Sequence, residues 1–203
     1  MHGAARLPTL SGNITGTACR IVGKRPANCG KMILLKAFAA EGVRAITRSL
    51  KDILFILMQF ELSFSNLYKT VSKTDGLYSD RLKTIAAVLA KEEAAHYEWL
   101  KSLLEDDSLK SILLDEAVYE AAEKNLEAFG KSIAWTGMSS DAELLQFAYD
   151  YELKNAQTLW NIYSVAKEYE KDEEAALIKF LVELIKTEES HAANLKQFLK
   201  GRK

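Results

Sequence analysis

After Pro26 the chain contains no proline, and from Glu41 onward its apolar residues recur at helical rather than strand spacing. What divides this stretch is its caps and glycines. The spacing predicts a first helix over 41–73, with an apolar stripe of Leu50, Leu54, Leu57, Met58, Phe64 and Tyr68. Thr74-Asp75-Gly76 ends it, because glycine takes the left-handed conformation that closes a helix at no steric cost. Ser79 is placed to cap a second helix that continues to Glu105, and Asp106-Asp107-Ser108 breaks the chain again. A shorter helix is expected over 109–129, ending at Gly130, and then a loop over 131–139. Ser140-Asp141-Ala142-Glu143 has the form of a capping box and opens a helix to Tyr169. A charged turn at Glu170-Lys171-Asp172 leads into a last helix ending near Gly201. Two helical hairpins joined by a long connection predict an all-α four-helix bundle, with one crossover that contains a short helix.

Four glutamates then stand where a helix should bury its apolar face. Glu61 lies between Leu57, Met58, Phe64 and Tyr68, and Glu93 between Ala86, Leu89, Ala90 and Leu100. Glu152 lies between Leu145, Ala148, Ala156 and Leu159, and Glu188 between Leu181, Leu184, Ile185 and Leu195. A buried carboxylate without a partner costs several kcal/mol or takes up a proton. Four of them need compensation.

The histidines supply the rest of the pattern. The chain has three, His2, His96 and His191, and the last two each follow a glutamate by three residues, in Glu93-Ala94-Ala95-His96 and Glu188-Glu189-Ser190-His191. That separation puts carboxylate and imidazole on one helical face, about one turn apart, where both can reach one metal ion. In an antiparallel hairpin, residues equally far from the turn lie at one height. The midpoint of Glu61 and Glu93 is Leu77, in the first expected turn, and that of Glu152 and Glu188 is Glu170, in the second. Each hairpin therefore sets a lone glutamate level with an ExxH pair, and a pair of divalent cations would neutralise four carboxylates charge for charge. Glu61, Glu93, His96, Glu152, Glu188 and His191 are the expected metal ligands. Glu92 and Glu189 turn about 100° away and read as solvated face, and Trp99, Trp135 and Trp160 read as packing.

Composition narrows the function classes. A formal net charge of -1 leaves no basic footprint for nucleic acid, and no apolar run is long enough to span a bilayer. Cys19 and Cys29 form no CxxC pair, which argues against a disulfide scaffold or a thiolate-bound metal and fits a reducing, cytoplasmic setting. Residues 1–40 contain no acidic residue but carry Arg6, Arg20, Lys24, Arg25, Lys31 and Lys36, along with both prolines and both cysteines. They read as a disordered tail, or as sequence upstream of a start at Met32, with an organelle transit peptide as the alternative. Residues 41–203 form the bundle.

The order Glu, ExxH, Glu, ExxH on four helices resembles the ferritin-like diiron carboxylate proteins, and among them most resembles the rubrerythrins, over about Val43 to Lys200. The resemblance implies two iron ions cycling between ferrous and ferric states, with manganese or a mixed pair as the alternative for this ligand set. It implies an oxidoreductase of the peroxidase type in a homo-oligomer, and a ferroxidase or iron-storage protein using oxygen or peroxide as the alternative. Tyr68 matches a family tyrosine that hydrogen-bonds near the irons. Two departures stand out. Asn155 occupies the place of a further ligand glutamate one turn after Glu152, and the rubredoxin-like iron site with its two CxxC pairs is missing. Reduction of hydrogen peroxide would then draw electrons from a separate donor protein.

Overall fold

The computed structural model describes residues 48–133, 138–169 and 172–200. These are helical almost throughout, with no strand among them: α1 (Leu50–Ser72), α2 (Asp80–Glu105), a single 3-10 turn (Asp107–Leu109), α3 (Glu116–Ser132), α4 (Asp141–Tyr169) and α5 (Asp172–Lys200). The expected readings for residues 1–47, Trp135, Glu170, Lys171 and Gly201 lie outside the described residues.

The first turn forms as its residues require. α1 ends at Ser72 with Lys73 as its cap, in the right-handed region, and Gly76 takes a left-handed φ of 74° not at the helix end, as expected, but in the turn beyond it, where the chain reverses. Ser79 Oγ accepts from the Leu82 amide at 3.2 Å and so caps α2. The same hydroxyl donates to Asp141 Oδ2, and the Ser79 amide donates to Asp141 Oδ1 at 3.0 Å. Tyr78 Oη donates to the Met138 carbonyl at 2.9 Å. One turn thereby ties the end of the first hairpin, α1 and α2, to the start of the second, α4 and α5.

Three boundaries depart from the expected ones. The first helix begins at Leu50, because Arg48 takes a φ of 50° and Ser49 turns to cap, accepting from the Lys51 amide. The crossover helix begins at Glu116 rather than at Leu109. The backbone of 112–114 pairs instead with 48–50, through Leu50 N to Ile112 O at 3.0 Å and Leu114 N to Arg48 O at 2.9 Å. Asp115 then caps α3, and its own amide donates to Glu174 Oε1 on α5 at 2.8 Å. At its far end α3 runs through Gly130 to Ser132. Phe129 is buried against Phe60 with ring centroids 5.1 Å apart, and this packing holds the last turn helical.

The expected apolar stripe of α1 is buried throughout. Aromatic contacts join α1, α3 and α4: Tyr151 stacks on Phe64 at 3.4 Å, and Phe129 lies 5.5 Å from Tyr151. The crossover helix thus covers the seam between α1 and α4. Trp99 and Phe180 meet edge-on at 6.2 Å across the seam between α2 and α5, so the packing reading of Trp99 holds. Ser79→Ala removes a cap and a link between hairpins together, and is expected to lower the free energy of unfolding by about 1–2 kcal/mol. Urea denaturation checks this, and an unchanged midpoint would show that the turn contributes no stability.

Candidate metal centre

All four inward glutamates are buried in the middle of their helices: Glu61 is 2% exposed, and Glu93, Glu152 and Glu188 are each 0% exposed. His191 is buried as well, and the His96 side chain retains 15% of its exposure. They converge from α1, α2, α4 and α5. One group contains Glu61, Glu93, His96 and Glu188, and a second contains Glu93, Glu152, Glu188 and His191, with ligand atoms in each within 4.8 Å of one another. Glu93 and Glu188 belong to both.

Both imidazoles face the cluster through Nδ1. His96 Nδ1 lies 3.4 Å from Glu61 Oε2, 3.8 Å from Glu93 Oε2 and 3.7 Å from Glu188 Oε1. His191 Nδ1 lies 3.7 Å from Glu93 Oε1, 3.8 Å from Glu152 Oε2 and 3.9 Å from Glu188 Oε2. The two rings stack with centroids 5.5 Å apart. Glu61 Oε2, both oxygens of Glu93 and of Glu188, Glu152 Oε2, and both Nδ1 atoms are buried with no hydrogen-bond partner. Eight electron-pair donors facing one another without a partner are costly in a protein interior. They fit a pair of hard or borderline cations, for which carboxylate and imidazole are suitable ligands.

The electrostatics say the same. Burial first, and then the charge of Glu188, push the Glu61 carboxyl up to about 8. Burial holds Glu93 and Glu152 well above the carboxylate range, with the charge of Glu61 adding to the first and that of Glu93 to the second. Burial lowers His191. Burial also pulls on His96, but its interaction with Glu93 and the charges of Glu188 and Glu93 outweigh it and raise the group. Without cations, the cluster is a proton store.

Tyr68, buried on α1, donates its hydroxyl to Glu152 Oε1 at 3.2 Å, fixing that carboxylate. Asn155 is buried one turn after Glu152. Two further residues were not among the expected site. Tyr151 is buried beside the cluster, its hydroxyl has no partner, and burial with the charges of Glu61, Glu93, Glu152 and Glu188 holds it well above its ordinary range, hence protonated. The signal was its buried helical spacing, three residues after Ala148. Glu92, expected to be solvated, reaches back so that Oε2 lies 3.4 Å from His191 Nε2. A carboxylate behind the outer nitrogen of a ligand histidine selects the tautomer whose inner nitrogen is free to bind. Glu189 does remain on the exposed face, where it accepts from Trp160 Nε1 at 2.9 Å.

Comparison of the chain with protein-family models, with curated proteins and with solved structures gave no match. The geometry therefore carries the functional argument alone.

Two measurements follow. Glu61 is raised from 4.5 to about 8, so between those values the folded chain binds protons that the unfolded chain has released. Its stabilising contribution is complete below the lower value and is lost as pH rises through the upper one; Glu93 and Glu152 act in the same direction, and lowered His191 opposes them only at the acid end. Metal-free protein is expected to unfold at a lower urea concentration at about pH 8 than at about pH 5. A stability that rises across that range would contradict the shared burial of these carboxylates. Glu92→Ala is expected to weaken metal binding by about 10–100-fold, read by competition with a chelator, and an unchanged affinity would return Glu92 to the solvated face.

Proposed function

We propose that this chain is a ferritin-like four-helix bundle that holds a diiron centre and reduces hydrogen peroxide in the manner of a rubrerythrin. The observation that carries the reading is the set of eight buried donor atoms without partners, divided into two groups that share Glu93 and Glu188. Glu61 and His96 would complete one ion's ligands, Glu152 and His191 the other's, and Glu93 with Glu188 would serve both. The charge of four carboxylates matches two divalent cations.

When bound, two ferrous ions supply one electron each, which with two protons convert hydrogen peroxide to two molecules of water. The chain's own residues prepare the site for this. Tyr68 holds Glu152 by its hydroxyl, and Glu92 braces His191 from outside. Tyr151 keeps its proton and has a hydroxyl free to donate to an oxygen atom entering the cluster. Leu57, Phe64, Leu89 and Leu184 are buried around the carboxylates, and their apolar side chains exclude bulk water. In this reading a separate donor protein would return the two electrons.

About two iron ions per chain are expected, lost in large part by Glu93→Ala or Glu188→Ala, because each removes a carboxylate common to both groups. Unchanged metal content in both variants would remove the reading. Anaerobic, ferrous-loaded protein should be oxidised far faster by peroxide than by oxygen in stopped-flow mixing. A preference for oxygen, with iron taken up beyond two per chain, would assign the protein to iron oxidation and storage.

A further inference from the structure

The two seams of the bundle differ in access. Between α2 and α5 a groove of about 500 Å³ opens at one end of the carboxylate cluster, a size typical of small-molecule sites. The helices run antiparallel along it, as three contacts show: Arg81 over Phe198 at 5.7 Å, Glu92 beside His191 at 3.4 Å, and Trp99 against Phe180 at 6.2 Å. The last contact lies beyond His96, on the side away from the groove. On α2 the lining residues Arg81, Ile85, Val88 and Glu92 follow one helical face. Leu89 and Leu195 are buried beneath it, while Val88 is 50% exposed at the mouth.

The charged groups stand at opposite ends, and the uncharged Thr84, Asn194 and Gln197 also line the groove. Arg81 stands at the outer end with its guanidinium over the Phe198 ring, and it makes no ion pair among the described residues. Glu92 and His191 stand at the inner end. Glu92 lies eleven positions along α2 from Arg81, a reach of about 16 Å. The walls between them are mostly side chains of Ile85, Val88, Leu89, Leu195 and Phe198. Helical backbone has no spare amides, and three uncharged polar side chains cannot serve every amide and carbonyl of a peptide laid there. An apolar chain meets no such cost.

We propose that this groove binds an elongated amphipathic carboxylate, with its head on Arg81 and its apolar chain running inward to the Glu92–His191 edge of the cluster. The charges set the orientation: Arg81 attracts the anion outside and Glu92 repels it inside. A guanidinium–carboxylate contact is directional and charge-assisted. The ligand class stands on the groove itself, and only the chemistry met by the inner end of the chain rests on the metal-centre reading.

The test is isothermal titration of the full chain with dodecanoate, dodecanol and acetate, alongside the metal content of each preparation. Dodecanoate should bind with one site per chain, and acetate, lacking the chain, should not bind. Arg81→Gln should weaken dodecanoate at least about tenfold and leave dodecanol unchanged, since a charged hydrogen bond is lost and the apolar contact is not. Val88→Trp, at an exposed position where the fold tolerates bulk, should obstruct both. No saturable binding to the native chain, or equal binding by both variants, would overturn the proposal. So would a change of sedimentation mass in Val88→Trp without dodecanoate binding, which would assign the groove to a second copy of this chain. Normal metal content with no dodecanoate binding refutes the groove alone, and dodecanoate binding to a chain that takes up no metal refutes the diiron reading alone.

Discussion

Four carboxylates share a space that water does not reach, and the two imidazoles beside them could offset at most half that charge even if both were protonated. The placement of these groups follows from tolerating this arrangement. The groups sit in the middle of long helices, where the backbone is already satisfied and adds no further polar demand. Each is collared by leucine, alanine or aromatic side chains that keep it dry, and the same dryness that makes the carboxylates costly also makes them strong cation ligands. Protons can balance the charge at low pH and divalent cations above it, so stability and metal content are linked properties of one cluster.

The crossover resolves a second constraint. Joining two hairpins in this order leaves a long segment to be carried from one end to the other, and α3 uses that length to cover the seam between α1 and α4. Phe60, Phe129, Tyr151 and Phe64 fill that side. Glu174 on α5 holds the start of α3 through the Asp115 amide, so the crossover is fixed to both hairpins. The seam between α2 and α5 carries the groove instead. Since the ExxH pairs lie on these two helices, what approaches along the groove meets an imidazole first.

The features legible in the sequence are local or periodic. Stripes of apolar residues, the Ser79 cap, the Gly76 turn and the spacing of glutamates from the turn midpoints each involve residues close in sequence or at one repeat. The Ser140 box forms only in part: the Glu143 amide donates to Ser140 Oγ at 3.3 Å, but the Glu143 carboxylate accepts from Ser139 instead. What the sequence hides is non-local. The pairing of 48–50 with 112–114 crosses the chain and overrides a helical pattern there. Gly130 stays helical because Phe129 is anchored to Phe60 on another helix. Glu92 shows how far a long side chain departs from its backbone direction: α2 turns it away from the cluster's centre, yet its three rotatable bonds carry the carboxylate to His191.

The sequence repeat that aligns the hairpins also shows where they differ. Phe60-Glu61-Leu62 answers Tyr151-Glu152-Leu153, so a phenol in one half replaces a phenyl ring in the other. Glu152 accepts a hydrogen bond from Tyr68, and His191 is backed by Glu92. Glu61 and His96 have no such support among the described residues: their nearest polar neighbours are each other, Glu93 and Glu188. His96 is also the more exposed imidazole, and its proton affinity is raised where that of His191 is lowered. The two donor groups share Glu93 and Glu188 yet have unequal surroundings: Tyr68 and Glu92 brace Glu152 and His191, and that side borders the groove.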